Sequence, residues 1–141
     1  MLTRRSALAG LLIGPGIALG AVRAAFAGAD RRRFIVRAAE MRRDAVASGD
    51  QPYGAIVVKG SRIVGLGPSR VVVNTDPTGH AEMEALRAAA GTLGTHDLSG
   101  CVMYTTSPPC RMCETAAYWA NISRVYIGDE GRDMAKPRYG C

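Results

Sequence analysis

The chain of 141 residues is long enough for one domain of ordinary size and too short for two. Its formal charge is +6, which falls to +3 without Arg4, Arg5 and Arg23, because these lie in a segment that we expect to be removed. A charge this small gives no argument for a nucleic-acid partner, since phosphate binding usually needs a concentrated basic face. Four cysteines are too few for a disulfide-stapled scaffold.

The N-terminus has the pattern of a secretory signal peptide. Arg4 and Arg5 precede an uncharged run over residues 6–22, which is short for a membrane-spanning helix and interrupted by glycine and proline. Ala25-Phe26-Ala27 then supplies a small-residue cleavage site. The paired arginines also resemble a twin-arginine signal, which a receptor reads as an address. We therefore predict export to the periplasm or beyond and no stable membrane anchor. An uncleaved anchor or a misassigned start codon would leave the same pattern.

The domain boundaries that follow are a signal peptide over residues 1–27 and one folded domain over residues 28–141. Apolar residues spaced i, i+3 and i+4 predict an amphipathic helix over residues 30–48, with Asp30 as its N-cap. Strand and turn signals then predict two strands, over 53–59 and 62–67, joined by a Gly60-Ser61 turn. After them we predict a helix over 79–90 capped by Thr78, a strand over 101–105, a helix from Ser107 to about Ala120, and a strand over 124–127. This order indicates an α/β sheet covered by helices.

Residues at the starts of two predicted helices have the types and spacing of a catalytic zinc site. His80 opens one helix, and Cys110 and Cys113 open the other with an i, i+3 spacing that places both on one helical face. Zinc takes nitrogen and thiolate ligands tetrahedrally, and a catalytic zinc keeps one position open for solvent. Helix N-termini also stabilise thiolates.

Glu82 follows His80 by two residues and is better suited to moving protons than to binding the metal. Hydrolysis needs a base that takes a proton from water and an acid that gives one up, and one carboxylate can do both in sequence. Alone, the cysteine pair is equally compatible with a structural zinc or a redox pair. Together with His80 and Glu82, in this order, it matches the signature of zinc deaminases.

These motifs resemble the cytidine/deoxycytidylate deaminase superfamily, most closely its branch of guanine deaminases and tRNA adenosine deaminases. The similarity covers about residues 30–128 and is carried by Tyr53–Val58, by Asp76–Arg87, and by Cys110–Cys113 with Tyr118-Trp119-Ala120. The resemblance implies a three-layer α-β-α fold with a mixed central sheet and usually a homodimer. It also implies zinc on His80, Cys110 and Cys113, with Glu82 as the general acid and base.

Two departures from this branch bear on the substrate. Eleven residues before His80 the branch usually has an asparagine that holds the purine or ribose, and here the residue is Ser69. The chain stops at Cys141, where relatives have a further strand and helix, so we expect a sheet of four strands with the fifth missing or vestigial. Tyr53, Ser69 and Ala81 are the candidate substrate contacts, although Tyr53 would serve equally well in the core.

The leading hypothesis is zinc-dependent hydrolytic deamination of a free nucleobase or nucleoside, a purine such as guanine first, with release of ammonia. A second is tRNA adenosine deamination, against which the predicted export and small net charge argue. A third is an inactive zinc-binding domain, which Ser69 and the short C-terminus favour and Glu82 opposes. We expect a Zn²⁺ cofactor, a small purine or pyrimidine partner, no nucleic acid, and a homodimer with Trp119 in the core or at the interface.

Overall fold

A computed structural model of the protein describes the backbone of residues 15–139 and the side chains of residues 30–139. Five strands form one mixed sheet in the spatial order β2-β1-β3-β4-β5. In chain order they are β1 Gly54–Lys59, β2 Arg62–Pro68, β3 Cys101–Thr105, β4 Arg124–Ile127 and β5 Arg132–Ala135. Three helices accompany them: α1 Pro15–Ala47, α2 Ala81–Leu93 and α3 Arg111–Trp119. Neighbouring strands run antiparallel except β3 and β4, which are parallel.

The sheet is covered on both faces, which confirms the three-layer α-β-α architecture. Successive side chains of a strand point to opposite faces, so β1 supplies both cores with an uninterrupted apolar run. On one face, Ile56 and Val58 pack with Phe34 of α1. On the other, Ala55 and Val57 pack with a larger cluster that includes apolar residues of α2 and α3.

Helix α1 begins earlier than its sequence pattern predicts. It starts at Pro15 rather than at Asp30, so the predicted N-cap role of Asp30 is wrong. The Asp30 carboxylate instead pairs with Arg33 Nε at 3.2 Å, one turn further along the same helix. Residues 1–14 of the predicted signal peptide lie outside the described residues, and that assignment stays a prediction. Among the described helices, none combines the length and the apolar character needed to cross a lipid bilayer.

The sheet has a fifth strand, which corrects the four-stranded prediction. Strand β5 pairs antiparallel with β4 at the edge of the sheet, and the Arg124 guanidinium binds the Asp133 carboxylate across the pair. Its sequence is Arg-Asp-Met-Ala, and three of its four residues are exposed. An edge strand this short and polar carries no alternation of apolar residues, so the pattern that reveals buried strands is missing here.

Helices α2 and α3 each begin directly after a predicted zinc ligand. Their N-cap residues are His80 and Cys110, each in an extended backbone conformation. The predicted cap Thr78 is therefore wrong, and its hydroxyl binds Asp76 Oδ1 at 2.7 Å instead. Neither N-cap side chain forms a capping hydrogen bond with the backbone of its helix, which leaves the His80 imidazole and the Cys110 thiol available to a metal ion.

Two glycines of β2 let the start of α2 lie close against the sheet. A Cβ on Gly67 would sit 2.1 Å from the Ala81 carbonyl oxygen, and one on Gly65 would sit 2.2 Å from that of Ala85. Real Cβ atoms do not approach this closely, so any larger residue would push α2 away from β2. The position of the helix that carries His80 and Glu82 therefore depends on these glycines.

Candidate active site

The three predicted metal ligands meet at the adjoining starts of α2 and α3. His80 Nδ1 lies 3.7 Å from Cys110 Sγ and 3.6 Å from Cys113 Sγ, and the two sulfurs are 3.6 Å apart. In a tetrahedron with ordinary zinc bond lengths, the edges measure roughly 3.8 Å between sulfurs and roughly 3.6 Å between sulfur and nitrogen. The donor atoms are therefore spaced as a single zinc ion requires.

The electrostatics of this cluster also favour a cation. Burial raises the pKa of the Cys113 thiol far above its ordinary value, and the nearby charge of Glu82 raises it further, followed by Cys110. A coordinated divalent cation reverses this balance, because it binds the thiolate directly and deprotonates the thiol. The residues present thus fit zinc, with His80, Cys110 and Cys113 as its protein ligands.

A cavity of about 440 Å³ opens beside the ligands. Its volume lies within the range of roughly 300–1,000 Å³ that is typical of small-molecule sites. It is lined by Gln51, Tyr53, His80, Ala81, Glu82, Ser107, Pro108 and Cys110. Tyr53 is 42% exposed and stands at the cavity wall rather than in the core. The structure therefore brings two of the predicted substrate contacts, Tyr53 and Ala81, together with Glu82 and the metal ligands.

Glu82 lines the cavity together with the metal ligands His80 and Cys110. It is 6% exposed, and its Oε1 accepts a hydrogen bond of 2.7 Å from the hydroxyl of Thr105. Its carboxylate also lies beside the Cys113 thiol. A carboxylate that reaches the cavity from beside the metal site is placed to exchange protons with water and with a bound ring.

Ser69 occupies a different place from the other predicted substrate contacts. It is fully buried, and its hydroxyl donates to Asp50 Oδ1 at 2.7 Å. Asp50 also accepts from the backbone N–H groups of Gln51, Val72 and Val73. Ser69 is not among the residues that line the cavity, and it helps to hold the loop that leads from β2 towards His80.

Asp50 is a buried carboxylate that the sequence analysis missed. Burial by itself would raise its pKa, but the hydrogen bonds from Val73, Ser69, Gln51 and Val72 together lower it to about 2. The residue stands in a short loop after α1, where its local sequence is typical of a turn. No local pattern reveals its partners, because Ser69, Val72 and Val73 follow it by about twenty residues.

Thr105 was also missed, although one signal for it exists. It is the last residue of β3, directly before the segment that leads to the cysteine pair. Functional groups of α/β proteins collect at the carboxyl ends of parallel strands, and β3 is parallel to β4. A polar residue that ends such a strand was therefore a candidate for the site.

Comparison with known proteins places this arrangement in a family. The sequence profile of the cytidine and deoxycytidylate deaminase zinc-binding region matches residues 29–129. The guanine deaminase of Bacillus subtilis (strain 168) is 38% identical over 104 residues, which are 73% of this chain and 67% of that protein. The tRNA-specific adenosine deaminase of Agrobacterium fabrum (strain C58 / ATCC 33970) is 35% identical over 100 residues, 71% of this chain and 66% of that protein. The chain thus spans about two thirds of the length of these relatives.

Solved structures agree with the sequence comparison. The guanine deaminase of Bacillus subtilis superposes with a TM-score of 0.66 at 38% identity, covering 68% of this chain and 62% of that one. A guanine deaminase from Nitrosomonas europaea superposes with a TM-score of 0.65 at 28% identity, covering 68% of this chain and 57% of that one. Family, fold and donor set together indicate a zinc-dependent hydrolytic deaminase. The chain belongs to the cytidine and deoxycytidylate deaminase family.

Proposed function

We propose that the protein removes an amino group from a free purine base or nucleoside by hydrolysis, with guanine as the first candidate. The observation that carries the proposal is the cavity that Glu82, His80 and Cys110 line together with the aromatic side chain of Tyr53. Similar proteins point to the same substrate class. One with 29% identity and a TM-score of 0.66 has been solved with 8-azaguanine and with 2,6-diaminopurine.

The proposed chemistry divides between the metal and Glu82. His80, Cys110 and Cys113 would hold a zinc ion, and the ion would supply a Lewis acid that makes water nucleophilic at neutral pH. Glu82 would accept one proton from the attacking water and deliver it to the ring nitrogen next to the carbon under attack. It would then take the remaining water proton from the hydroxyl added to that carbon and pass it to the leaving amine. The carbon–nitrogen bond breaks, ammonia departs, and the ring carbon keeps the oxygen as a carbonyl group.

Other cavity residues would hold the ring. The Tyr53 ring offers an aromatic surface for stacking. The Ala81 N–H lies in the first turn of α2, where backbone N–H groups have no intrahelical acceptor, so it can donate to a ring substituent. The Ser69 hydroxyl is already bound to Asp50. We infer that the side-chain amide of Gln51, at the cavity wall, reads a polar edge of the purine in its place.

A substrate panel tests the proposal. The zinc-loaded protein is incubated with guanine, adenine, cytosine, their nucleosides, and an RNA stem-loop containing a target adenosine, and ammonia release is measured. We expect release from a free purine or its nucleoside and none from the Glu82→Gln variant. Release from the stem-loop alone would support tRNA adenosine deamination instead. If no substrate released ammonia, a zinc-binding domain without activity would be the better description.

We infer that two copies of the chain associate through α2 and α3. An apolar groove of about 530 Å³ lies between these helices, and its lining includes Met83, Leu86, Ala90, Leu98, Ala116 and Trp119. Trp119 is 65% exposed in the single chain, which excludes a core position for it. Aromatic residues of this kind anchor protein interfaces. Sedimentation should show a dimer that Trp119→Glu converts to monomers, and a wild-type monomer would refute the assignment.

We also infer that the protein is exported by a twin-arginine route and cleaved after Ala27. The face of α1 that packs on the sheet, formed by Phe34, Ala38, Met41 and Ala45, lies downstream of that site, so the mature chain would keep it. N-terminal sequencing of exported protein should begin at Gly28. Replacing Arg4 and Arg5 together with lysine should retain the protein in the cytoplasm. Exported protein that still carries Met1 or Leu2 would contradict this.

A further inference from the structure

Thr105 stands directly behind the carboxylate of Glu82. Its hydroxyl donates to Glu82 Oε1 at 2.7 Å, and the carbonyl oxygen of Ser107 lies 3.2 Å from the same hydroxyl. Both side chains of the Thr105–Glu82 pair are buried. A threonine hydroxyl has one proton to donate, and the shorter contact assigns it to Glu82 on α2.

The backbone of Thr105 is held by strands on both sides. It pairs with Ala55 of β1 and with Ile127 of β4, and its carbonyl oxygen accepts from Gly128 N at 2.8 Å. Strand β3 is the middle strand of the five-stranded sheet. A hydroxyl on this residue has little freedom, because β-branched side chains are restricted at χ1 and the surrounding strands fix the backbone.

Glu82 needs such a support more than a shorter side chain would. The terminal torsion of glutamate is broad, so its carboxylate plane is poorly defined without a hydrogen bond. The 2.7 Å distance between the Thr105 hydroxyl oxygen and Glu82 Oε1 is typical of an O–H···O hydrogen bond, which fixes the orientation of that oxygen. Thr105 is not among the residues lining the cavity, so it acts on a bound ring through Glu82.

We propose that Thr105 is a positioning residue that orients the Glu82 carboxylate at the cavity wall, beside the metal ligands. The proposal rests on the proposed function of Glu82 as the acid and base of the deamination. It predicts a loss in the chemical step with little change in substrate binding or in metal content, since Thr105 contacts neither the cavity nor the zinc ligands His80, Cys110 and Cys113 through its hydroxyl.

Two substitutions test the role of the hydroxyl. Thr105→Val keeps the shape of the side chain and removes the donor, whereas Thr105→Ser keeps the donor. We expect Thr105→Val to lower kcat by about 10- to 100-fold with KM and zinc content unchanged, the range found when a support of an active-site group is removed. Thr105→Ser should restore most of the rate.

Thr106→Val is the matched control. Its hydroxyl accepts from Gly54 N at 3.1 Å and has no hydrogen bond to Glu82. The loss of this hydroxyl one residue away should leave kcat close to that of the wild type. A Thr105→Val variant with wild-type kcat, or a Thr105→Ser variant as slow as Thr105→Val, would overturn the proposal.

A second readout does not depend on the substrate. The melting temperature of the zinc-loaded protein is measured for Thr105→Val, Glu82→Ala and the double variant. If the hydroxyl and the carboxylate interact, the double variant should melt at a higher temperature than the sum of the single shifts predicts. Additive shifts would overturn the proposal. If the wild type deaminated no compound, the proposed function would fail while this cycle still decided whether Thr105 holds Glu82.

Discussion

Two carboxylates of this protein have nearly the same burial and opposite surroundings. Asp50 is 9% exposed and Glu82 is 6% exposed. Asp50 receives hydrogen bonds from Ser69, Gln51, Val72 and Val73, which occupy both of its oxygens. Glu82 receives a side-chain hydrogen bond from Thr105 and faces the cavity beside the metal ligands.

The contrast lies in the hydrogen-bond partners of the two carboxylates. Hydrogen bonds that hold the ionised form lower the pKa of Asp50 to about 2, so this carboxylate stays charged at neutral pH and organises the loop before His80. A carboxylate with access to a cavity can instead meet water and substrate. Burial alone therefore does not identify a catalytic acid, whereas the number and kind of its partners do.

The largest expected effect comes from the metal site next to Glu82. Cys113→Ala removes one of the three protein ligands and should abolish both zinc binding and ammonia release. Metal analysis should find about one zinc per wild-type chain and close to none in the variant. Cys101→Ala is the control, because Cys101 is equally buried on β3 but lies outside the ligand cluster. Full zinc retention by Cys113→Ala would refute the ligand assignment.

Glu82→Gln should have the next largest effect. Glutamine keeps the size of the side chain and removes its proton chemistry, so the variant should fold and bind zinc normally. We expect it to lose at least about 10²- to 10⁴-fold in rate, the contribution typical of a general acid or base. Steady-state kinetics alongside metal analysis checks this. The expected loss leaves about a hundredth of the wild-type rate or less. A variant that kept a tenth or more of that rate would show that another group moves the protons.

Asp50→Asn should reverse this pattern, with a clear loss of stability and a smaller loss of rate. The asparagine amide has one oxygen that accepts hydrogen bonds, whereas the carboxylate has two. Its NH₂ group would therefore face two donors that now bind a carboxylate oxygen, either Ser69 and Gln51 or Val72 and Val73. Thermal unfolding at pH 7 should show a lower melting temperature with zinc content unchanged. If the rate fell as far as in Glu82→Gln, the division of roles between the two carboxylates would be wrong.

The pH dependence of the melting-temperature difference between the wild type and Asp50→Asn gives a smaller and more specific test. The pKa of Asp50 is about 2 in the folded protein and about 3.9 in an unfolded chain. A lowered pKa contributes stability that is present above about pH 4 and is lost as the pH falls towards 2. The melting-temperature gap between wild type and Asp50→Asn should therefore shrink over this range. Acid loss of zinc affects both proteins and cancels in the gap, so a constant gap would refute the assignment.

Ser69→Ala should have the smallest effect of the series. It removes one of the four donors to Asp50 and leaves the three backbone donors in place. We expect a modest fall in melting temperature, smaller than that of Asp50→Asn, and little change in KM, because Ser69 does not line the cavity. A large rise in KM would instead support the sequence-based prediction that Ser69 holds the substrate.

The sequence by itself predicted the residues of the candidate site and the order of most elements. His80, Glu82, Cys110 and Cys113 were predicted from residue type and spacing alone, and the structure brings them together. Such predictions succeed because short spacings fix which side chains share a helix end, and because zinc accepts few donor sets. The buried strands were predicted for a similar reason, since burial on one or both faces leaves a pattern of apolar residues.

Tertiary structure alone decided which polar groups meet. The hydroxyls of Ser69 and Thr105 reach Asp50 and Glu82, partners 19 and 23 residues away along the chain. Strand β5 forms by pairing with β4, without an apolar pattern of its own. Hydrogen-bond partners distant in sequence are set by how the helices and strands pack, and a linear pattern of residue types does not record that packing.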